Sequence, residues 1–177
     1  SKRYLVAKNE EAYRDVFTIH YPDEERPDAR PVKTSPVYDK LKRMGAVFGQ
    51  RYGWERANWF APEGVEPKDE WSFRRSNYFE HVGNECRRLR ENVGVIDLTP
   101  FTKFEVTGAG AEAWLDGLLA NRIPKQKGRI ALCHLLSKNG GVRSEFTVYR
   151  TGGDSFYLVG AGAFERHDYD YLEKSLP

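Results

Sequence analysis

Three apolar segments separated by turn residues restrict the fold of this chain more than any other feature. They read IALCHLL, VRSEFTVYR and SFYLVGAG, and the linkers between them are SKNGG and TGGD. Asn-Gly and Gly-rich linkers of this length are typical of tight turns between neighbouring antiparallel strands. The three segments therefore predict an antiparallel meander.

Segments on both sides of the meander complete a predicted α+β fold. A strand is predicted over Phe101–Val106, and GAGAEAWLDGLLAN has its large apolar residues at helical spacing. AFERHDYDYLEKSL predicts a closing helix that turns Phe164, Tyr171 and Leu172 inward. We expect a mostly antiparallel sheet with helices packed against it.

Ahead of this region, Ser76–Gly94 is predicted to form a helix that Gly94 ends in a left-handed conformation. Its apolar residues form one stripe, which predicts a buried face and makes Cys86 a core residue rather than a nucleophile. The stripe consists of Phe79, Val82, Cys86, Leu89 and Val93.

The first part of the chain carries weaker signals. Ser1–Pro36 is polar and contains several prolines, which predicts an extended connector. A short amphipathic helix with Val37, Leu41 and Met44 on one side is expected to follow it. Gly49–Gly64 has no sustained period and is predicted to be an aromatic-rich loop or a pair of turns.

Composition excludes several classes of protein. The 177 residues are 40% hydrophobic and 31% charged, as in an ordinary globular protein, and their net charge is only +2. We therefore expect no nucleic-acid partner, and without an apolar run of about 20 residues we expect no membrane span. The four histidines and two cysteines are scattered without metal-ligand spacing, so no metal site is predicted.

Strand alternation draws attention to one carboxylate. If Phe146 and Val148 face the core, Arg143, Glu145, Thr147 and Tyr149 lie on the opposite face, as listed from VRSEFTVYR. On the pattern alone, the favoured interpretation is a solvated face on which Glu145 pairs with Arg143. The alternative is an acid that faces a ligand and orients, or takes a proton from, a bound amine.

A resemblance covers essentially the whole chain. SPVYDKLKRMGAVFGQRYGWERANWFAP resembles the segment that joins the flavin domain to the folate domain in the dimethylglycine dehydrogenase and sarcosine dehydrogenase family. FTIHYPDEERPDARP resembles the end of that family's flavoprotein part. ECRRLRENVGVIDLTPFTKFEVTGAGAEAWLDGLLAN resembles the start of its aminomethyltransferase-like domain, which is shared with the glycine-cleavage T-protein.

The resemblance implies a domain organisation. Residues 1–66 would be a connector and central segment that follow an FAD domain, and residues 67–177 would be the N-terminal part of a T-protein-like folate-binding domain that is incomplete at its C-terminus. The chain lacks the glycine fingerprint of a dinucleotide-binding fold. It therefore looks like a fragment whose FAD would be bound by the rest of the same polypeptide.

The resemblance also implies a reaction. In this family a flavin domain oxidises an N-methyl amine to an iminium, and the folate domain passes the one-carbon unit to tetrahydrofolate. The key carboxylate of the T-protein branch, an aspartate after a Gly-Gly turn, corresponds here to Glu145, which implies a catalytic role. Phe101, Leu132 and Tyr157 correspond to positions near the folate, although plain core packing would also explain them.

Two other functions stay open at this point. One is a folate-binding, aminomethyltransferase-like protein without flavin chemistry that acts in regulation or repair. The other is an aromatic and arginine-rich module for single-stranded nucleic acid, which the low net charge disfavours. For the oxidoreductase and for the folate-binding protein without flavin chemistry, we expect a cytoplasmic protein, or one of the mitochondrial matrix if the source is eukaryotic.

Overall fold

The computed structural model describes residues 1–177 and divides them into two units, Ser1–Pro100 and Phe101–Pro177. Unit 1 contains α1 (Lys2–Arg14), α2 (Tyr38–Arg43), β1 (Ala46–Arg51), β2 (Trp54–Phe60) and α3 (Phe79–Glu91). Unit 2 contains β3 (Thr102–Thr107), α4 (Ala111–Leu118), β4 (Leu119–Ala120), β5 (Ile130–Leu136), β6 (Val142–Arg150), β7 (Ser155–Gly160), a 3-10 turn (Gly162–Phe164) and α5 (Glu165–Lys174).

The sheet of unit 2 confirms the predicted meander and the α+β class. Its five strands lie in the order β3-β7-β6-β5-β4, and every neighbouring pair is antiparallel. Both helices pack against one face of this sheet, since Leu115 of α4 and Leu172 of α5 belong to the same buried cluster as the strand residues. Neither helix covers the opposite face of the sheet.

The core of unit 2 is built around Phe146. Its side chain is fully buried and meets Phe104 edge to face, with 6.1 Å between the ring centroids. Gly160 lies so close that an added Cβ would fall 2.8 Å from the Phe146 ring. Trp114 also links the two helices, because its Nε1 donates a 2.7 Å hydrogen bond to the Ser175 carbonyl.

The closing helix differs from its prediction at one residue. Leu172 is buried and Tyr171 packs against the core, as expected. Phe164, predicted to face inward, is instead 45% exposed because it ends the 3-10 turn before α5 begins. Its ring lies 5.9 Å from the imidazole of His167 rather than in the core.

In unit 1, the predicted loop over Gly49–Gly64 is wrong, because β1 and β2 form an antiparallel hairpin there. The two turn residues, Tyr52 and Gly53, both have positive φ, at 53° and 84°. Such a turn matches the twist of the paired strands, although Tyr-Gly is a weaker signal than Asn-Gly. A register shift between Val47 and Phe48 also interrupts the alternation that would have revealed the strands.

The extended connector predicted for Ser1–Pro36 is also wrong in its first part, where α1 forms. This helix is anchored by a buried acid rather than by an apolar stripe. Glu11 accepts hydrogen bonds from Lys8 Nζ at 2.8 Å and from the Asp28 amide at 2.7 Å. Burial raises the pKa of Glu11, but these two donors outweigh burial and hold the pKa below its ordinary value.

The helix predicted over Ser76–Gly94 is confirmed as α3, but its apolar stripe is not buried. Val82 packs beside Trp59, whereas Phe79 and Leu89 are each 46% exposed and Cys86 is exposed. The interpretation of Cys86 as a core residue is therefore wrong. The predicted left-handed stop at Gly94 is wrong as well, since α3 ends at Glu91 and an extended Asn92 follows.

The short helix predicted around Leu41 is confirmed as α2, which begins at Tyr38. No helix in either unit is long and apolar enough to cross a membrane.

Candidate functional site

The face of the unit 2 sheet opposite its core, here called the outer face, carries the candidate site. Alternation along each strand turns every second side chain onto this face, and the strand register groups them into rows. The first row holds His134 and Glu145; the second holds Leu132, Thr147, Val159 and Lys103; the third holds Ile130, Tyr149, Tyr157 and Glu105.

Glu145 forms a pair with His134 in the first row. The two residues are directly opposite each other on β6 and β5, and His134 Nε2 lies 3.1 Å from Glu145 Oε2. The Glu145 side chain is 56% exposed and that of His134 is 36% exposed, so both can reach a ligand on the outer face. A carboxylate held beside an imidazole can accept a hydrogen bond or a proton from an amine.

The predicted ligand-contacting residues are exposed rather than packed in the core. Phe101 is 43%, Leu132 48% and Tyr157 37% exposed. Leu132 is in the row next to Glu145, on the neighbouring strand. An apolar or aromatic wall open to solvent can cover a flat ligand ring, whereas a core residue cannot.

The structure brings Glu145 and Leu132 together but sets the other two predicted residues apart. Tyr157 lies two rows from Glu145, which corresponds to about 13 Å along the strands. Phe101 directly precedes β3, the edge strand, and two strands separate it from β5, which carries His134. Glu145 therefore lies at one end of the outer face and the two tyrosines lie at the other, an arrangement suited to an elongated ligand.

The expected pairing of Glu145 with Arg143 is wrong because of a β-bulge. Leu135 pairs with Ser144 and Leu136 with Val142, so Arg143 is an extra residue in β6. Its guanidinium lies 4.5 Å from the Tyr171 ring centroid and 3.1 Å from His167 Nε2, both on α5. The bulge thus turns Arg143 away and leaves Glu145 with His134.

Sequence reasoning missed His134, although a signal for it existed. The Asn-Gly turn joins β5 to β6, and counting back from this turn along both strands places His134 close to the position opposite Glu145. No group of three or more His, Cys, Asp or Glu residues is arranged to hold a metal ion. The Glu145–His134 pair and Leu132 beside it are the candidate chemical groups of the outer face.

Two protein-family models together match almost the whole chain. A family model described as the GCVT N-terminal domain matches residues 37–177. The chain belongs to the GCVT N-terminal domain family. A second model, described as the FAD dependent oxidoreductase central domain, matches residues 1–35. The two models thus meet near residue 36, whereas the structural units meet at Pro100.

Curated relatives of this GCVT-domain chain confirm the resemblance to dimethylglycine and sarcosine dehydrogenases. The mitochondrial dimethylglycine dehydrogenase of Mus musculus is 38% identical over 174 residues, which are 98% of this chain and 20% of the relative. The mitochondrial sarcosine dehydrogenase of Homo sapiens is 25% identical over 207 residues, covering 96% of this chain and 22% of the relative.

A third relative has a regulatory name. The mitochondrial pyruvate dehydrogenase phosphatase regulatory subunit of Mus musculus is 29% identical over 182 residues, covering 100% of this chain and 21% of the relative. The chain spans about one fifth of the length of the curated relatives it matches.

The fold has a solved counterpart. The glycine cleavage system aminomethyltransferase T from Bartonella henselae aligns with a TM-score of 0.66 and 22% identity, covering 81% of this chain and 35% of that one. This similarity confirms the predicted fold class, an α+β arrangement with antiparallel sheets.

Proposed function

We propose that the chain is part of an FAD- and tetrahydrofolate-dependent oxidoreductase that demethylates an N-methyl amine, and that the outer face of unit 2 binds the folate. The observation that carries this proposal is the Glu145–His134 pair, which lies beside exposed Leu132 on the outer face. Similarity to dimethylglycine and sarcosine dehydrogenases supports the substrate class.

Glu145, His134, Leu132 and Tyr157 would each have a role in holding the folate. Tetrahydrofolate, when bound, supplies an amine that captures the one-carbon unit. Glu145 would accept a hydrogen bond from that amine and then the proton released when the new N–C bond forms, while His134 Nε2 holds the second carboxylate oxygen in place. Leu132 and Tyr157 would cover the flat parts of the ligand and exclude water from them.

The chain's own residues do not fit a flavin site. No glycine fingerprint for a dinucleotide occurs in the sequence, and the FAD-related match is confined to residues 1–35. We therefore propose that FAD and the N-methyl amine bind to other parts of the same polypeptide. With this function the protein would act in the cytoplasm, or in the mitochondrial matrix of a eukaryote.

We also retain the predicted domain division as part of this proposal. Residues 67–177 would belong to the folate domain, with residues 1–66 connecting it to the FAD domain. Limited proteolysis followed by folate titration of the products would test where the folate-binding part begins.

Glu145→Gln is the direct test of the folate site. Gln keeps the size of the side chain but cannot provide a charged acceptor, so we expect the affinity for 5-formyltetrahydrofolate to fall about tenfold. Isothermal titration of the 177-residue chain measures this change. Glu105→Gln, on the same face but on the edge strand, is the matched control and should change the affinity by less than about twofold.

Two results of this titration would contradict the proposed role. One is an unchanged affinity in Glu145→Gln, and the other is an equal loss in both variants, which would indicate only a general effect of charge. If the complete polypeptide does not bind the folate at all, the folate site itself is excluded.

A protein of this family without flavin chemistry is the second candidate function. The regulatory subunit among the relatives is the observation that favours it. Both candidates use the same folate face, so they differ only in what the complete polypeptide does. Oxidation of dimethylglycine or sarcosine by that polypeptide, followed by formaldehyde or methylene-tetrahydrofolate release, would select the oxidoreductase, and flavin-free purified protein would select the alternative.

A further inference from the structure

Arg143 is held on α5 by two side chains that the folate proposal does not use. Its Nη2 lies 3.1 Å from Nε2 of His167, and its Cζ lies 4.5 Å from the ring centroid of Tyr171. A guanidinium can only donate hydrogen bonds, and the face of an aromatic ring attracts it. Arg143 therefore donates to His167, while the Tyr171 ring stabilises its charge.

The contact with Arg143 defines which nitrogen of His167 carries a proton. Because Nε2 accepts a hydrogen bond from the guanidinium, the proton of the neutral imidazole is on Nδ1. Nδ1 lies 3.1 Å from Oδ1 of Asp168, which is fully buried and accepts this hydrogen bond. Oδ2 of the same carboxylate has no hydrogen-bond partner, so the Nδ1–H group is the donor that compensates this buried acid.

The neutral form of His167 is what allows it to hold Arg143. A protonated imidazole, or an ammonium group in its place, offers no acceptor to the guanidinium and repels it. Arg143 would then lose its hydrogen-bond partner on α5 and would need another acceptor.

The carboxylate nearest to Arg143 in the sequence is that of Glu145. Residues two apart in a strand have Cα atoms about 7 Å apart, a distance that two long side chains can span. The Glu145 side chain is 56% exposed, and a guanidinium that paired with it would compete with its hydrogen bond to His134. The bulge at Arg143 and the acceptor on His167 together keep the guanidinium away from Glu145.

We propose that His167 is a positioning residue for Glu145. Its neutral imidazole retains Arg143 on α5, which leaves the Glu145 carboxylate paired with His134 and open to the folate amine. His167 acts through Arg143 and does not have to contact the ligand. The consequence for folate binding rests on the proposed function, whereas the pairing of Glu145 does not.

His167→Lys tests this positioning without any ligand. Lysine can still donate to Asp168 but offers no acceptor to Arg143, so we expect the guanidinium to move to Glu145. The nitrogen chemical shift of His134 Nε2 at neutral pH reports whether Glu145 accepts its hydrogen bond. In the 177-residue chain, His167→Lys should move this shift at least about halfway to its value in Glu145→Gln.

Two further variants distinguish positioning from a general loss of structure. Arg143→Met in the His167→Lys background removes the competing guanidinium and should restore the wild-type shift of His134. His167→Gln places an amide oxygen near the position of Nε2, so it keeps an acceptor for Arg143 and should leave the His134 shift unchanged. A packing defect at residue 167 would not be repaired by a second substitution at residue 143.

Folate titration of the complete polypeptide measures the consequence for the proposed site. We expect His167→Lys to weaken the binding of 5-formyltetrahydrofolate about threefold, within the range of an exposed salt bridge, and Arg143→Met/His167→Lys to restore the affinity. Added positive charge alone would strengthen the binding of this anionic ligand, so it does not explain a loss.

Two results would overturn the role of His167: an unchanged His134 shift in His167→Lys, or a changed shift that Arg143→Met does not reverse. A His134 shift that responds while the folate affinity does not would exclude a role of this positioning in folate binding. If the wild-type polypeptide binds no folate, the proposed function fails, and the His134 shift still decides whether His167 controls the pairing of Glu145.

Discussion

Replacing Phe146 with alanine should lower the free energy of unfolding of unit 2 by about 3–5 kcal/mol. Phe146 is fully buried in the middle of β6 and contacts Phe104 edge to face. Gly160 on β7 leaves room for the ring, since a Cβ added there would lie 2.8 Å from it. The loss therefore combines the transfer of a large apolar side chain with the cost of a cavity.

Hydrogen exchange of the β5, β6 and β7 amides in increasing urea measures this loss for unit 2 alone. Val142→Ala is the control, because Val142 is 67% exposed on the same strand and its truncation should cost less than about 0.5 kcal/mol. A loss below about 1 kcal/mol in Phe146→Ala would show that the residue does not form the centre of the core.

In unit 1, Glu55→Ala should cost about 3–5 kcal/mol, because it leaves a largely buried guanidinium without its counter-charge. Arg30 Nε donates to Glu55 Oε1 at 3.0 Å, and Arg30 Nη2 donates to Oε2 at 2.6 Å. The second nitrogen also donates to the Phe48 carbonyl at 2.8 Å. Hydrogen bonding to Glu55 raises the pKa of Arg30 above its ordinary value.

The double variant Arg30→Met/Glu55→Leu distinguishes the cost of an unpaired charge from the cost of losing the Glu55 side chain. Removing both charges should restore at least half of the stability lost in Glu55→Ala, since no unpaired charge remains. Three of the four tryptophans lie in unit 1, so tryptophan fluorescence in urea mainly follows this unit. A double variant as unstable as Glu55→Ala would contradict the electrostatic explanation.

The two units differ in how much their sequences reveal. In unit 2, the strands of the meander alternate regularly outside the bulge at Arg143 and the Asn-Gly turn is a strong signal, so the meander could be predicted. In unit 1, the hairpin turns on Tyr52-Gly53 and contains a register shift, which hides its alternation. Helix α1 escaped prediction because its buried residue is the charged Glu11, and one of its two partners, Asp28, is distant in sequence.

Periodicity also cannot show what covers a face. The stripe on α3 has helical spacing, yet Cys86 and Leu89 are exposed, because spacing identifies a face but not its neighbour. The same limit applies to the candidate site. Alternation turned Glu145 away from the core correctly, but its partner His134 depends on strand register, and the bulge at Arg143 has no clear sequence signal.

The most direct measurement is a map of the methyl groups that 5-formyltetrahydrofolate contacts on the 177-residue chain. If the outer face binds the folate, ring currents should shift the methyl signals of Ile130, Leu132 and Thr147 in a proton–carbon spectrum. The methyl signals of buried Leu115 and Leu158 should stay unchanged. Shifts confined to unit 1, or no shifts at all at saturating folate, would contradict the assignment of the outer face as the folate site.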